Sequence, residues 1–281
     1  MSMNGKVCIV TGANCGIGKE TTLGLARKDA TVVMLVRNEE KGTEAQKEII
    51  SESGNNSVDM MLCDLSSLEQ IRQFSNAFST KYGRLDVLVN NAGAVYSKRD
   101  VTPDGFERSL AVNYLAPFVL TNELLPLLKA SSPSRIVNLT SGLHGRAEVN
   151  LENLQSEGKY KGMDAYQNSK LMVLLFTYAL ARRLEGTGVT ANAVSPGFVA
   201  TNLGRSSGSR MNSIMFGMMK PFQLTPAEGA QTSIYVASAP ELEGVTGKHF
   251  TKSQEKTSSP SSLDIDLQEK LWTTTEKMLG M

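Results

Sequence analysis

The chain has 281 residues, 41% of them hydrophobic, and a formal net charge of +1. That length and apolar content suffice for one sizeable α/β core, and the interspersed charges exclude a polyanion-binding face, so nucleic acid is not expected as a partner. Cys8, Cys15 and Cys63 form no CxxC pair, and His144 and His249 are the only histidines. A disulfide framework and metal catalysis are therefore not expected, and a reducing, cytoplasmic setting is.

In chain order, short apolar or β-branched runs alternate with segments of helical period, the pattern of parallel βαβ units. The spacing predicts strands at Val7 to Thr11, Thr31 to Val36, Val58 to Leu62 and Leu85 to Asn90. Helices are expected between them at Gly16 to Lys28, Asn38 to Glu52 and Ser66 to Lys81. After a loop with Pro103 come a helix over Asp104 to Lys129, a strand over Arg135 to Thr140 and a helix over Asp164 to Glu185. A strand at Val189 to Val194 ends at Ser195-Pro196-Gly197, because proline has no ladder donor. A helix over Ala227 to Ala237, a seventh strand at Lys248 to Thr251 and a terminal helix over Leu263 to Leu279 complete the pattern.

Two stretches, Leu143 to Met163 and Ala200 to Thr225, break this rhythm just after strands five and six, where the ligand crevice of an open α/β sheet lies. They are the expected substrate loops, and Met211, Met215, Met218, Met219, Phe216 and Phe222 make the second one soft and apolar. Lys252 to Ser262 is Ser- and Lys-rich and is expected to be mobile, and His144 is expected as a surface-loop residue. No apolar run precedes Lys6, and the apolar stretch Leu171 to Ala181 is too short to cross a bilayer of about 30 Å, so no transmembrane segment is expected.

The first strand runs into Thr11-Gly12-Ala13-Asn14-Cys15-Gly16-Ile17-Gly18. Glycines there allow a tight turn and a close approach to a pyrophosphate, which the helix N-terminus then binds through free N–H groups. At the end of strand two, Arg37-Asn38 stands where an NAD enzyme needs an acid. Arg37, with Lys41 one turn on, suits a 2′-phosphate, so NADP is expected over NAD. Asp64, with Leu65, and Asn90-Asn91-Ala92-Gly93 follow the next two strands and are placed against the adenosine.

Further along, Tyr166 and Lys170 share a helix face at i and i+4. An ammonium beside a phenol favours its ionised form, bringing a group that titrates near pH ~10 toward the working range of a general acid.

These motifs, TGxxxGxG, NNAG, Asn113, Ser141, YxxxK and PG, occur in order over Thr11 to Gly197, and the chain resembles the short-chain dehydrogenase/reductases. It is similar in particular to the retinol dehydrogenase and dehydrogenase/reductase branch through Leu35 to Gly42, Asn113 to Phe118 and Lys270-Leu271-Trp272. The resemblance implies a Rossmann-like, doubly wound, seven-stranded parallel sheet in a three-layer sandwich. It implies one domain over residues 1–281, with a cofactor half to about 130 and a catalytic and substrate half beyond. It also implies a tetrad of Asn113, Ser141, Tyr166 and Lys170, in which Ser141 holds the substrate oxygen, Tyr166 carries the proton, Lys170 binds the nicotinamide ribose and lowers the Tyr166 pKa, and Asn113 holds a water. Pro196, Gly197, Val199 and Thr201 line the nicotinamide. The implied activity is that of an NADP-dependent carbonyl reductase acting on an apolar retinal-like or long-chain aldehyde or ketone, in a homodimer or homotetramer paired through Asp104 to Lys129 and Asp164 to Glu185. An NADP-binding sensor with vestigial catalysis is the alternative. Ser141 and Tyr166 lie 25 positions apart, as in that branch, which enlarges the pocket.

Overall fold

A computed structural model describes residues 2–199 and 223–281. Its strands are β1 (Val7–Thr11), β2 (Thr31–Val36), β3 (Val58–Leu62), β4 (Val87–Asn90), β5 (Ser134–Leu139), β6 (Val189–Ser195), β7 (His249–Thr251) and β8 (Gln254–Glu255). They form one sheet in the order β3-β2-β1-β4-β5-β6-β7-β8, parallel throughout except for the last pair. Burial on both faces explains why the strands read as continuous apolar runs: all five residues of β1 are buried.

The helices are α1 (Gly16–Ala26), α2 (Glu39–Ser53), α3 (Leu68–Tyr82), α4 (Arg108–Ala130), α5 (Gly162–Arg183), α6 (Pro226–Ser238) and α7 (Ile265–Leu279). Helices α1, α2 and α6 cover one apolar face of the sheet, and α3, α4, α5 and α7 the other. The chain runs from β1 outward to β3, then returns to place β4 on the other side of β1. That reversal opens a crevice at the carboxyl ends of β1 and β4. Among the described residues, only α4 is long and apolar enough to cross a membrane, and 72% of its most apolar window is buried in the domain, as in a core helix.

Three expectations change. The sheet has eight strands, not seven, because Lys252 and Ser253 take φ of 50° and 56° and turn the chain back on β7 as a tight hairpin. The segment expected to be mobile is thereby tied down: Ser253 N donates to Thr232 at 3.0 Å, and Ser258 and Ser262 are buried. Helix α4 begins at Arg108 rather than Asp104, since the Glu107 carboxylate accepts from Ser109 N and Leu110 N and caps it there. Asp104 instead accepts from Leu68 N at the start of α3. Trp272 of α7 packs on Phe118 of α4 and Phe176 of α5 with ring centroids 4.9 and 5.7 Å away, which fastens the terminal helix to the domain.

Candidate active site

The crevice is a cleft of about 630 Å³ that runs from the β2–α2 turn to α5. At its centre Gly12 and Gly16 take φ of +65° and +56°, a region that side chains resist. Gly18 serves a different need: a Cβ there would stand 2.3 Å from Gly12 O and 2.4 Å from Asn91 Nδ2. The loop is pinned from the end of β4, where Asn91 N and Ala92 N both donate to Thr11 Oγ1 at 2.9 Å. Cys15, at the N-cap of α1, makes no side-chain cap, and the first turn of α1 holds no acidic residue. The helix therefore presents uncapped N–H groups and a positive dipole end to the cleft.

At the outer end Arg37, Asn38 and Lys41 line the cleft and are exposed. Asn38 caps α2 by accepting from Lys41 N at 2.8 Å. Arg37 makes no ion pair with a described residue, so its guanidinium stays available to an anion. Asp64 and Leu65 form the opposite wall with Tyr96, whose ring Arg108 overlies at 5.8 Å.

At the inner end Tyr166 and Lys170 project from α5 and are buried, 8% and 3% exposed. Lys170 Nζ donates to Leu139 O at 2.8 Å and lies 5.8 Å from the Tyr166 ring centroid. Burial lowers the Lys170 pKa from 10.5 to about 8. Burial likewise pushes the Tyr166 phenol above its ordinary value, opposed by a hydrogen bond from Ser141. This differs from the expectation that Lys170 lowers the Tyr166 pKa. With the ammonium turned to a carbonyl of β5, desolvation wins, and Ser141 supplies the opposing interaction. Ser141 lies two residues beyond β5 and caps the 3₁₀ turn Gly142–Arg146 by accepting from Leu143 N.

Asn113 sits in a π-helical stretch, Ala111–Leu115, within α4. Such an extra residue per turn redirects a side chain, and it is frequent at functional sites. The Asn113 amide brackets Ala94, accepting from its N and donating to its O at 2.9 Å, and donates to Ser169 Oγ at 3.0 Å. A Cβ on Gly93 would lie 3.1 Å from Lys170 Nζ and 3.4 Å from Asn113 Oδ1, so this glycine lets both groups converge.

The structure thus gathers Gly12, Asn14, Cys15, Gly16, Ile17, Gly18, Arg37, Asn38, Lys41, Asp64, Leu65, Ala92, Gly93, Tyr166, Lys170 and Pro196 around one cleft. Asn113 and Ser141 do not line this cleft: Asn113 is buried beside it, and Ser141 is half-buried. Asn90 does not reach it: buried, its amide donates to Thr121 and Asn138 inside the sheet, and the neighbouring Asn91 faces the cleft. Strand alternation places successive side chains on opposite faces, which accounts for the one-residue difference. Gly197 takes φ +88° and packs near Leu224, while Val199 bridges to Leu224 and packs by Gly229. Thr201 and the methionines of the second substrate loop lie outside the described residues. Tyr96, Val112 and Thr140 join the lining without a sequence signal, since loops and a strand end bring them there. His144 is buried rather than in a surface loop.

Fold and cleft together define a dinucleotide-binding α/β protein: the Gly18 cradle, the uncapped α1 and Arg37, which has no ion pair among the described residues, fit a nicotinamide dinucleotide. A family model described as short chain dehydrogenase matches residues 6–212. The chain belongs to that family. It is 43% identical to retinol dehydrogenase 13 of Mus musculus over 282 residues, covering 99% of this chain and 84% of the relative. An uncharacterized protein from Mycobacterium paratuberculosis superposes with a TM-score of 0.82 at 31% identity, covering 100% of this chain and 95% of its own. A 3-ketoacyl-(acyl-carrier-protein) reductase from Brucella melitensis complexed with NADH gives 0.70 at 25% identity, over 89% and 97% of the two chains. A gluconate 5-dehydrogenase from Beutenbergia cavernae with bound NADP gives 0.71 at 28%, over 89% and 96%.

Proposed function

We propose that the chain is an NADP(H)-dependent oxidoreductase acting reversibly on the carbonyl or alcohol of an apolar small molecule, a retinoid or a long-chain aldehyde or ketone. One observation carries the reading: Tyr166, hydrogen-bonded by Ser141 and one helical turn from Lys170, stands at the inner end of a cleft whose outer end offers the unpaired Arg37. Arg37 and Lys41 would hold the 2′-phosphate, the α1 N-terminus the pyrophosphate, and Lys170 the nicotinamide ribose. When bound, the cofactor supplies or accepts the hydride. In carbonyl reduction Tyr166 Oη gives its proton to the substrate oxygen, and Ser141 positions that oxygen and steadies the charge that develops on it. The raised Tyr166 pKa keeps the phenol protonated and ready as the acid. In alcohol oxidation the same oxygen takes the proton back, and a nearby ammonium on Lys170 favours that step.

The retinoid choice rests on the 43% identity to retinol dehydrogenase 13 and on the apolar, methionine-rich composition of Ala200 to Thr225. A cytoplasmic location suits three free cysteines. Retinal, aliphatic aldehydes, steroids and quinones should be screened side by side for loss of NADPH absorbance. Turnover of at least one apolar carbonyl is expected. Tyr166→Phe should retain NADPH binding and lose roughly 10²- to 10⁴-fold in turnover; wild-type activity in that variant removes the assigned acid. Tight NADPH binding without turnover of any carbonyl would favour a cofactor-binding sensor.

A further inference from the structure

The only two histidines of the chain meet in the interior, and every ring nitrogen has a partner. His144 Nδ1 lies 2.6 Å from Ser141 O, an atom that only accepts, so this nitrogen carries the hydrogen. His144 Nε2 accepts from Ser259 N at 3.2 Å and must be bare. His249 repeats the pattern: Nδ1 donates to Lys256 O at 3.2 Å, and Nε2, 2.9 Å from Ser195 Oγ, accepts from that hydroxyl. The rings pack edge to face with centroids 5.4 Å apart. Both partners border the site, since Ser141 bonds Tyr166 and Ser195 immediately precedes Pro196. The pair therefore ties the loop after β5 to the end of β6 and to the β8 hairpin.

We infer that His144, braced by His249, is a positioning residue for Ser141: as neutral Nδ1–H imidazoles the two rings hold the end of β5 so that the Ser141 hydroxyl stays on Tyr166, and a proton added to Nε2 opens the brace. This deepens the oxidoreductase reading and rests on it for its kinetic readout. A proton on His144 Nε2 would face the Ser259 N–H, donor against donor, and one on His249 would repel its neighbour.

Charged and titratable groups on the packed elements are few. Arg146 shares the turn with His144, and α5 contributes Tyr166, Lys170, Tyr178 and Arg182, with Glu185 just beyond its end. Near His249 stand Lys248, Glu255 and Lys256. Lys248 pairs with Glu255 at 3.0 Å and Arg182 with Glu269 at 2.7 Å, and among the described residues no carboxylate hydrogen-bonds either imidazole. Burial first, and for His249 the neighbouring ring as well, lower both pKa values below the ordinary 6.5. Because the folded values are depressed, the brace is intact above 6.5 and is lost as pH falls through the lower folded values.

With only two histidines, ring-¹⁵N labelling of the full chain gives a readable long-range ¹H–¹⁵N spectrum. Two Nδ1–H tautomers are expected at neutral pH, titrating together at acidic pH on the same curve as a fall in kcat. His144→Asn keeps a donor for Ser141 O but cannot take up a proton. It should hold kcat within about threefold at neutral pH and lose the acid limb. His144→Ala should lower kcat roughly 10²-fold, with the NADPH dissociation constant, read by fluorescence, unchanged. An Nε2–H tautomer or an imidazolium at neutral pH overturns the inference, as do variants whose kcat and acid limb match the wild type. Should the alanine variant fail to fold, the asparagine variant and the spectrum still decide. A wild type without turnover defeats the proposed function alone, because the tautomers are read without substrate.

Discussion

The two ends of the cleft hold their charges in opposite ways. Arg37 and Lys41 stand in water, positioned by nothing more than the strand end and the Asn38 cap. Tyr166 and Lys170 are buried, and their surroundings are fixed by groups distant in sequence: Leu139, which accepts from Lys170, and Asn113, which bonds both Ala94 and Ser169. A solvated charge acts through an attraction that salt screens, whereas a buried one changes its pKa and salt reaches it little. Cofactor choice and proton transfer are thus separable properties, and substitutions at the two ends should add without coupling.

The sharpest break of this contrast is at Lys170. Lys170→Met should lower turnover roughly 10²- to 10⁴-fold. The same change should raise the melting temperature at neutral pH. With its pKa lowered from 10.5 to about 8, the wild-type lysine costs the fold stability below pH 8, and that cost fades as pH rises through 10.5. The stability gain of the variant, reduced somewhat by loss of the bond to Leu139 O, should shrink across that window. A gain that is absent, or flat with pH, means Lys170 is not held against desolvation.

Gly93→Ala tests how tightly the buried end is packed. Its Cβ would press on Lys170 Nζ at 3.1 Å and Asn113 Oδ1 at 3.4 Å. A fall in kcat of about tenfold is expected from the small displacement, without a change in cofactor preference. Unaltered kinetics would show that the ammonium moves freely.

The mildest prediction concerns the open end. Arg37→Asp should move the ratio of kcat/KM for NADPH over NADH toward NADH by about 10- to 100-fold, the worth of one charge-assisted hydrogen bond, and leave kcat intact. Raising ionic strength should weaken NADPH binding to the wild type but hardly to Arg37→Asp. A ratio that does not move, or equal salt dependence, removes Arg37 from the phosphate.

The legibility of these two ends differs for the same reason. Glycine positions, the acid missing after β2 and the YxxxK spacing are local patterns, so Gly12, Gly16, Gly18, Arg37, Tyr166 and Lys170 were readable before any coordinates and lie around one cleft. The strand and helix order was readable too, because a strand buried on both faces is continuously apolar and a helix repeats with its own period. What escaped were contacts between distant segments. The hairpin at Lys252 and Ser253 uses residues that do not announce positive φ, Asn90 and Asn91 exchange roles through strand alternation, and His144 finds His249 about a hundred positions away.

Composition and spacing by themselves therefore determined the parallel sheet, the phosphate loop and the pairing of Tyr166 with Lys170, since each is written within a few neighbouring residues. Tertiary structure alone decided where the Lys170 ammonium points, that Ser141 rather than Lys170 opposes the desolvation of the phenol, and that both histidines are buried with their pKa values lowered. Those outcomes depend on desolvation and on hydrogen-bond partners brought from other strands and helices, and neither exists until the chain has packed.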